Sequence, residues 1–316
     1  MTERIDAFAH ALPEEFATKL AEYDRNQFGD LTEATRMWDI ERRLNDMDTF
    51  GVDRQCIMLA NSTIWRGMDP DEALPLVELA NDAMADLSDR SNRLIPVATI
   101  PFATDDFIAE FERCVQDLGM AGAQIFSNVD GRPIDGPDFQ SLYAAAEAIA
   151  APLWLHPQLY EWYGWADEYC NDKIFGWLFD TSLALSRLVF SGVMQDYPDL
   201  QIIPHHMGGM IPFFHRRIQT FKDAYAHLDY ADLDEPAEEY FRRFYPDTGV
   251  NGSVPALRCG LEFFGSDQVV FGTDYPFGPE EGQVWMRDAV QSMEDLDVSE
   301  SDKQQIYQEN IESLMA

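Results

Sequence analysis

Four of the six histidines in this 316-residue chain stand where short apolar runs end. His10 closes the run 5–10 and His156 closes the run 152–156. The pair His205 and His206 follows the run 201–204. A carboxylate, Asp274, follows the run 269–272 in the stretch Phe271-Gly272-Thr273-Asp274-Tyr275-Pro276. One histidine at such a place is ordinarily a hydrogen-bonded structural residue, and one Gly-Thr-Asp is ordinarily a turn. The conjunction is more specific. Three imidazoles and a carboxylate meeting at one point are suitable ligands for Zn²⁺, the first expectation, or for Mn²⁺. A histidine can also carry a proton near neutral pH. His205 and His206 are neighbours, so the alternation of an extended strand predicts that they point to opposite sides. On that basis His206 faces the cluster and His205 packs structurally.

Something must bring these ends together. The chain alternates short apolar runs with longer amphipathic ones. The apolar runs are 5–10, 55–60, 94–100, 122–126, 152–156, 201–204, 244–250 and 269–272. Helical spacing occupies stretches between them, such as 73–91, 105–118, 139–150 and 181–197. Strands alternating with helices imply a mostly parallel sheet. Eight of them in this length predict an α/β fold, a closed (β/α)8 barrel over one domain, 1–316. A doubly wound open sheet is the other arrangement, but no GxGxxG follows the first run. In a barrel the chemistry lies where strands end, which is where these residues are. The acidic stretch 228–239 reads as a surface loop entering a helix.

Composition narrows the partners. Hydrophobic residues at 46% are enough for a packed core, which excludes a disordered chain. The formal net charge is −35, so phosphate backbones are repelled and nucleic acid is excluded as a partner. No apolar run is long enough to span a membrane, and no basic-then-apolar leader opens the sequence, so a cytoplasmic home is expected. Cys56, Cys114, Cys170 and Cys259 form no CxxC pair and read as buried free thiols. Only Lys19, Lys173, Lys222 and Lys303 are lysines among 22 basic residues. A lysine-poor, strongly acidic surface suits a salt-filled, halophilic cytoplasm, where self-repulsion is screened.

Several stretches together resemble the amidohydrolase-related (amidohydrolase 2) family, which includes aminocarboxymuconate semialdehyde decarboxylase and the resorcylate-type decarboxylases. They are residues 5–10 (IDAFAH) with Leu12-Pro13, 38–48 (WDIERRLNDMD) with Gly51-Val52-Asp53, and 152–157 (PLWLHP). Further on come 188–192 (LVFSG), 197–200 (YPDL), 205–213 (HHMGGMIPF) with Arg217, and 271–277 (FGTDYPF). The resemblance implies roles. His10, His156 and Asp274 are the metal ligands, and His206 is the acid/base histidine. Arg43 binds the substrate carboxylate, for which a planar fork is suited. The implied activity is metal-assisted decarboxylation of an aromatic or unsaturated carboxylic acid. Metal-dependent hydrolysis or hydration of a lactone or oxo-acid, with Asp274 accepting the proton of bound water, is the alternative. One departure stands out. The family opens with His-x-His or Glu-x-His, whereas this chain has Phe8-Ala9-His10. Phe8 cannot coordinate a metal, so a metal-free barrel that has lost catalysis is the third reading. Tyr160, Trp162, Tyr163 and Trp165 are expected to line the pocket of a flat substrate. The resemblance also implies a homodimer, with the apolar run 207–214 (MGGMIPFF) near its interface.

Overall fold

The computed structural model describes residues 2–21, 37–60, 64–158, 168–228 and 230–315. The aromatic cluster Tyr160, Trp162, Tyr163 and Trp165 lies outside them. The first strand, β1 (Ile5–Ala11), is buried along its whole length, as a strand covered on both faces must be. It pairs in parallel with β2 (Arg54–Leu59), with Ile5 opposite Arg54 and His10 opposite Met58. The register slips between Asp6 and Ala9, a bulge next to Phe8. β2 pairs in parallel with β3 (Leu94–Pro96). Val97 then donates to Ile57 O, and the strand resumes as β4 (Ala98–Thr99). β4 pairs with β5 (Ala123–Phe126). A small antiparallel ribbon follows, β6 (Asn128–Val129) with β7 (Arg132–Pro133). β5 also pairs in parallel with β8 (Leu153–His156), and β8 with β9 (Ile202–Pro204).

The ring then closes through two segments that carry ladder bonds without forming regular strands. Tyr245 N donates to Ile202 O and Asp247 N to Pro204 O, fixing residues 245–247 beside β9. Thr248 N donates to Val270 O and Val270 N to Pro246 O. Finally Ala7 N donates to Phe271 O at 2.7 Å, and Asp274 N to Phe8 O at 3.0 Å, which returns the circuit to β1. All eight expected apolar runs therefore take part in one closed parallel barrel, and the open doubly wound sheet is excluded.

Helices cover the outside because their apolar residues recur at helical spacing. In the Asp105–Gln116 helix, Phe107, Phe111 and Cys114 are buried. The Ile40–Phe50 helix starts at Asp39, whose side chain accepts from Arg42 N, and stops at Gly51 in the left-handed region. Its buried face is Ile40, Arg43, Asp46 and Met47. Inside the barrel, Ile5, Ala7, Phe8, Val97, Trp154, Ile203 and Val270 form one cluster, joined by Ile311 and Leu314 of the last helix, Asn310–Leu314. The Trp154 indole donates to Ala7 O at 2.7 Å across this interior. The barrel is thus a filled core.

Three expectations are corrected here. Only Cys56 and Cys114 are buried; Cys170 is exposed and Cys259 intermediate, although all four are free. The helical stretch 181–197 begins earlier and breaks: Trp177–Phe190 is followed by Gly192 at φ 92° and a short turn, Val193–Asp196. The run 207–214 is partly consumed by the protein's own core, since Met207 and Ile211 are buried. Among the described residues no helix is long and apolar enough to cross a membrane.

Candidate active site

Asp274 is placed by the last barrel segment. Its backbone is left-handed at φ 62°, held by its N–H on Phe8 O. The preceding Thr273 donates both N–H and Oγ1 to the fully buried Asp6, at 3.0 and 2.6 Å. Asp6 also accepts from Gln55 Nε2 at 2.9 Å. It is therefore committed to bracing the floor beneath Asp274, and it is not a ligand.

Two imidazoles converge on Asp274. His10 Nε2 and His205 Nε2 each lie 3.3 Å from Asp274 Oδ1. Ligand atoms of His10, His205 and Asp274 all fall within 4.8 Å of one another. All three residues are buried. Neither His10 Nε2 nor His205 Nε2 makes a hydrogen bond of proper geometry. Buried polar nitrogens without partners are costly, on the order of 1–3 kcal/mol each. A divalent cation among them would satisfy both at once, and two imidazoles with one carboxylate are suitable donors for it. The residues present therefore fit a metal centre.

The expectation for His205 fails. The strand alternation stops at Pro204, and His206, Met207, Gly208 and Gly209 all have positive φ, between 54° and 68°. Four left-handed residues in succession turn the chain so that both neighbouring rings face Asp274. His206 Nε2 is 3.9 Å from Asp274 Oδ2, and the two rings are 3.6 Å apart. His205 is further fixed by Asp247, a residue the sequence reading did not single out. Asp247 Oδ2 accepts from His205 Nδ1 at 2.5 Å, and Oδ1 accepts from Gly249 N at 2.6 Å and His206 N at 3.3 Å. A signal was present: Asp247 is the one charged residue within the seventh apolar run, 244–250.

The other expected residues also reach this end of the barrel. His156, at the end of β8, has its ring 5.3 Å from that of His10 and 6.0 Å from that of His205. Its Nδ1 bonds Pro157 O at 2.7 Å. Phe8 lies flat against His205, with ring centres 3.9 Å apart and planes 8° from parallel. Trp177 borders His156 and His206 at 6.2 and 6.5 Å. Arg43 is not a solvated helix charge, being only 2% exposed. Its Nη1 donates to Gln55 Oε1 at 3.0 Å and its Nη2 to the carbonyl oxygen of His10, while the guanidinium lies over the Tyr275 ring. In this structure the fork is engaged by the protein, and it fixes the backbone of His10.

Burial and charge set the protonation states. Burial lowers His156 well below the usual histidine range, and the charge of nearby imidazoles adds to it. Burial, then the charge of His205, lowers His206 to about 3. For His205, burial is outweighed by Asp247 and Asp274, which raise it to about 10. Burial alone would raise Asp274, but His205 and His10 hold it below the ordinary carboxylate range.

The chain has relatives among known proteins. The family model described as Amidohydrolase matches residues 5–314. A 2-amino-3-carboxymuconate-6-semialdehyde decarboxylase of Dictyostelium discoideum is 30% identical over 242 residues, covering 76% of this chain and 67% of the relative. A gamma-resorcylate decarboxylase of a Rhizobium species is 28% identical over 265 residues, covering 77% and 78%. A 5-carboxyvanillate decarboxylase from Novosphingobium aromaticivorans, solved with manganese and 4-hydroxy-3-methoxy-5-nitrobenzoic acid, superposes with a TM-score of 0.89 at 26% identity, over 99% of this chain and 96% of that one. A dihydroxybenzoic acid decarboxylase of a Polaromonas species, solved with manganese and 2-nitroresorcinol, gives 0.84 at 25% identity over 100% and 97%. The closed barrel, the carboxylate and imidazoles at its strand ends, and a family match over nearly the whole length agree: this chain belongs to the amidohydrolase family.

Proposed function

We propose that this protein, read as one barrel over 1–316, is a metal-assisted, non-oxidative decarboxylase of an aromatic or unsaturated carboxylic acid. The observation that carries the proposal is the buried set of His10, His205 and Asp274, with His206 beside it, in a chain whose relatives are named as decarboxylases. His10 and Asp274 would hold a divalent metal, with His156 contributing from β8. When bound, such an ion orients a substrate oxygen and stabilises negative charge that develops as the carboxylate leaves. Manganese is the first candidate because the solved neighbours carry it; zinc is the second, on the donor set.

The chain's own residues do the rest. The C–C bond breaks, its electron pair stays on the substrate carbon, and carbon dioxide leaves. His206 delivers the proton that this carbon takes. Burial favours the neutral form of His206, so the proton it delivers has first to reach it from solvent water. Arg43 acts by position: through the His10 carbonyl it sets the backbone from which His10 projects. The clamp on the substrate carboxylate that the resemblance implies would require its fork to leave Gln55 and His10. Trp177 offers an aromatic edge beside the two histidines to a flat substrate.

The same proposal includes a homodimer in a salt-rich cytoplasm. Phe213 is 76% exposed on the Ile211–Ala224 helix. An apolar groove lies beside it, lined by Phe179, Leu183, Met210, Phe214, Arg217 and Phe221. A monomer mass in sedimentation at molar KCl overturns the dimer. For the activity, carbon dioxide release is measured with Mn²⁺ across hydroxybenzoates and carboxymuconate semialdehydes. Release from at least one of them, lost in His206→Asn, is expected. Turnover of lactones or oxo-acids with no carbon dioxide overturns the decarboxylase reading in favour of hydrolysis.

A further inference from the structure

Phe8 lies on β1 two residues before His10, stacked on the His205 ring, and it offers no lone pair. The ring stacked on it does. We propose that His205 is the metal ligand that β1 does not supply, joining His10 from β1, Asp274 and, from β8, His156, with Asp247 positioning His205. The proposal rests on the reading of this site as a metal centre.

Three observations carry it. His205 Nε2 stands at the same 3.3 Å from Asp274 Oδ1 as does His10 Nε2. Its other nitrogen is consumed, since Nδ1 is bonded to Asp247 Oδ2 at 2.5 Å, which leaves Nε2 as the nitrogen that can coordinate. That nitrogen is buried without a hydrogen bond of proper geometry. A histidine kept only for packing would be expected to satisfy both nitrogens within the protein. A carboxylate on Nδ1 with the opposite nitrogen left for a cation is the general arrangement of metal-bound histidine, in which the carboxylate fixes tautomer and ring orientation. Phe8 contributes by shape. Its ring lies 8° from parallel to the imidazole at 3.9 Å, so it sets the plane in which Nε2 is presented.

The test uses the full chain, stripped of metal by chelator in molar KCl, with Mn²⁺ as the probe. Affinity is read by calorimetry, and bound imidazole nitrogens by electron spin-echo modulation. Wild type is expected to bind about one equivalent. His205→Phe is expected to bind roughly 100-fold more weakly or worse, taking the 10–100-fold effect of an outer partner as a lower guide. The reciprocal double variant Phe8→His with His205→Phe is expected to regain most of that affinity. His205→Gln keeps a side-chain donor for Asp247 and guards against a folding defect. It is expected to melt near the wild type, to lose one imidazole contribution from the spin-echo signal, and to bind at least about 10-fold more weakly. Wild-type affinity in both His205→Phe and His205→Gln overturns this proposal and leaves the metal reading standing. Absence of Mn²⁺ and Zn²⁺ binding by wild type at millimolar ion overturns the metal reading, and this proposal with it.

Discussion

Asp247→Asn separates the orientation of His205 from the folding of its loop. Asn has nearly the shape of Asp, and its Oδ1 can go on accepting from Gly249 N and His206 N, which the structure places at 2.6 and 3.3 Å. The other position changes sign. Where Oδ2 accepted the His205 Nδ1 proton at 2.5 Å, the amide Nδ2 now donates. His205 must then accept at Nδ1 and carry its proton on Nε2, the nitrogen 3.3 Å from Asp274 Oδ1. A protonated Nε2 cannot coordinate. Mn²⁺ affinity should fall about 10–100-fold, which is about 1.4–2.8 kcal/mol. Stability should change less, because a charge-assisted hydrogen bond becomes a neutral one at a cost of about 1 kcal/mol, or roughly 2–4 °C in Tm. Calorimetric titration with Mn²⁺ and thermal melts by circular dichroism read the two effects separately. Unchanged affinity at unchanged Tm would refute the reasoning. A fall of more than about 10 °C would refute it differently, by showing that Asp247 holds the barrel rather than the imidazole.

Asp6 provides a pH test of the floor beneath the site. Burial raises it to about 6 from 3.8. A raised carboxyl favours the protonated form in the fold, so its stabilising contribution is complete below about pH 3.8 and is lost as pH rises through about 6. The loss amounts to about 3 kcal/mol. Asp6→Asn should remove that slope from the unfolding free energy between pH 4 and 6, and an identical slope in the variant would be inconsistent with the assignment. Arg43→Met removes the donors to Gln55 and to the His10 carbonyl, so it should cost about 2–4 kcal/mol of stability and lower kcat more than it raises KM. A large rise in KM alone would restore the substrate clamp. Transfer from about 2 M KCl to dilute buffer should lower Tm by several degrees or more, since 57 acidic side chains against 22 basic ones are then unscreened. A flat Tm across that range would show that the acidic surface is not an adaptation to salt.

The barrel was legible because its strands are short apolar runs bounded by polar residues, a pattern that buried parallel strands require. The last two segments were also legible as runs, although in the fold they are irregular ladders. The part of the site that failed was the part not in regular structure. The period-2 reading of His205 assumed an extended backbone, and the left-handed residues that follow it break that assumption. Asp247 was hidden because Pro246-Asp247-Thr248-Gly249 has the composition of a turn. The burial of Arg43 could have been read: Ile40, Arg43 and Met47 share the face of one helix, spaced by three and four.

The left-handed stretch from His206 to Gly209 bears on what could be transplanted. Neighbouring positions are shaped to accept it. A Cβ on Gly209 would lie 2.4 Å from Leu178 O, and one on Gly260 would lie 2.3 Å from Met207 Sδ. The paired histidines thus depend on the surfaces of two helices, Trp177–Phe190 and Val254–Phe264. Grafting His-His onto the sixth strand of another barrel would reproduce the letters without the geometry. The smallest portable module is the loop together with both helix surfaces, and a designer who moves fewer residues should expect the second imidazole to swing away from the carboxylate.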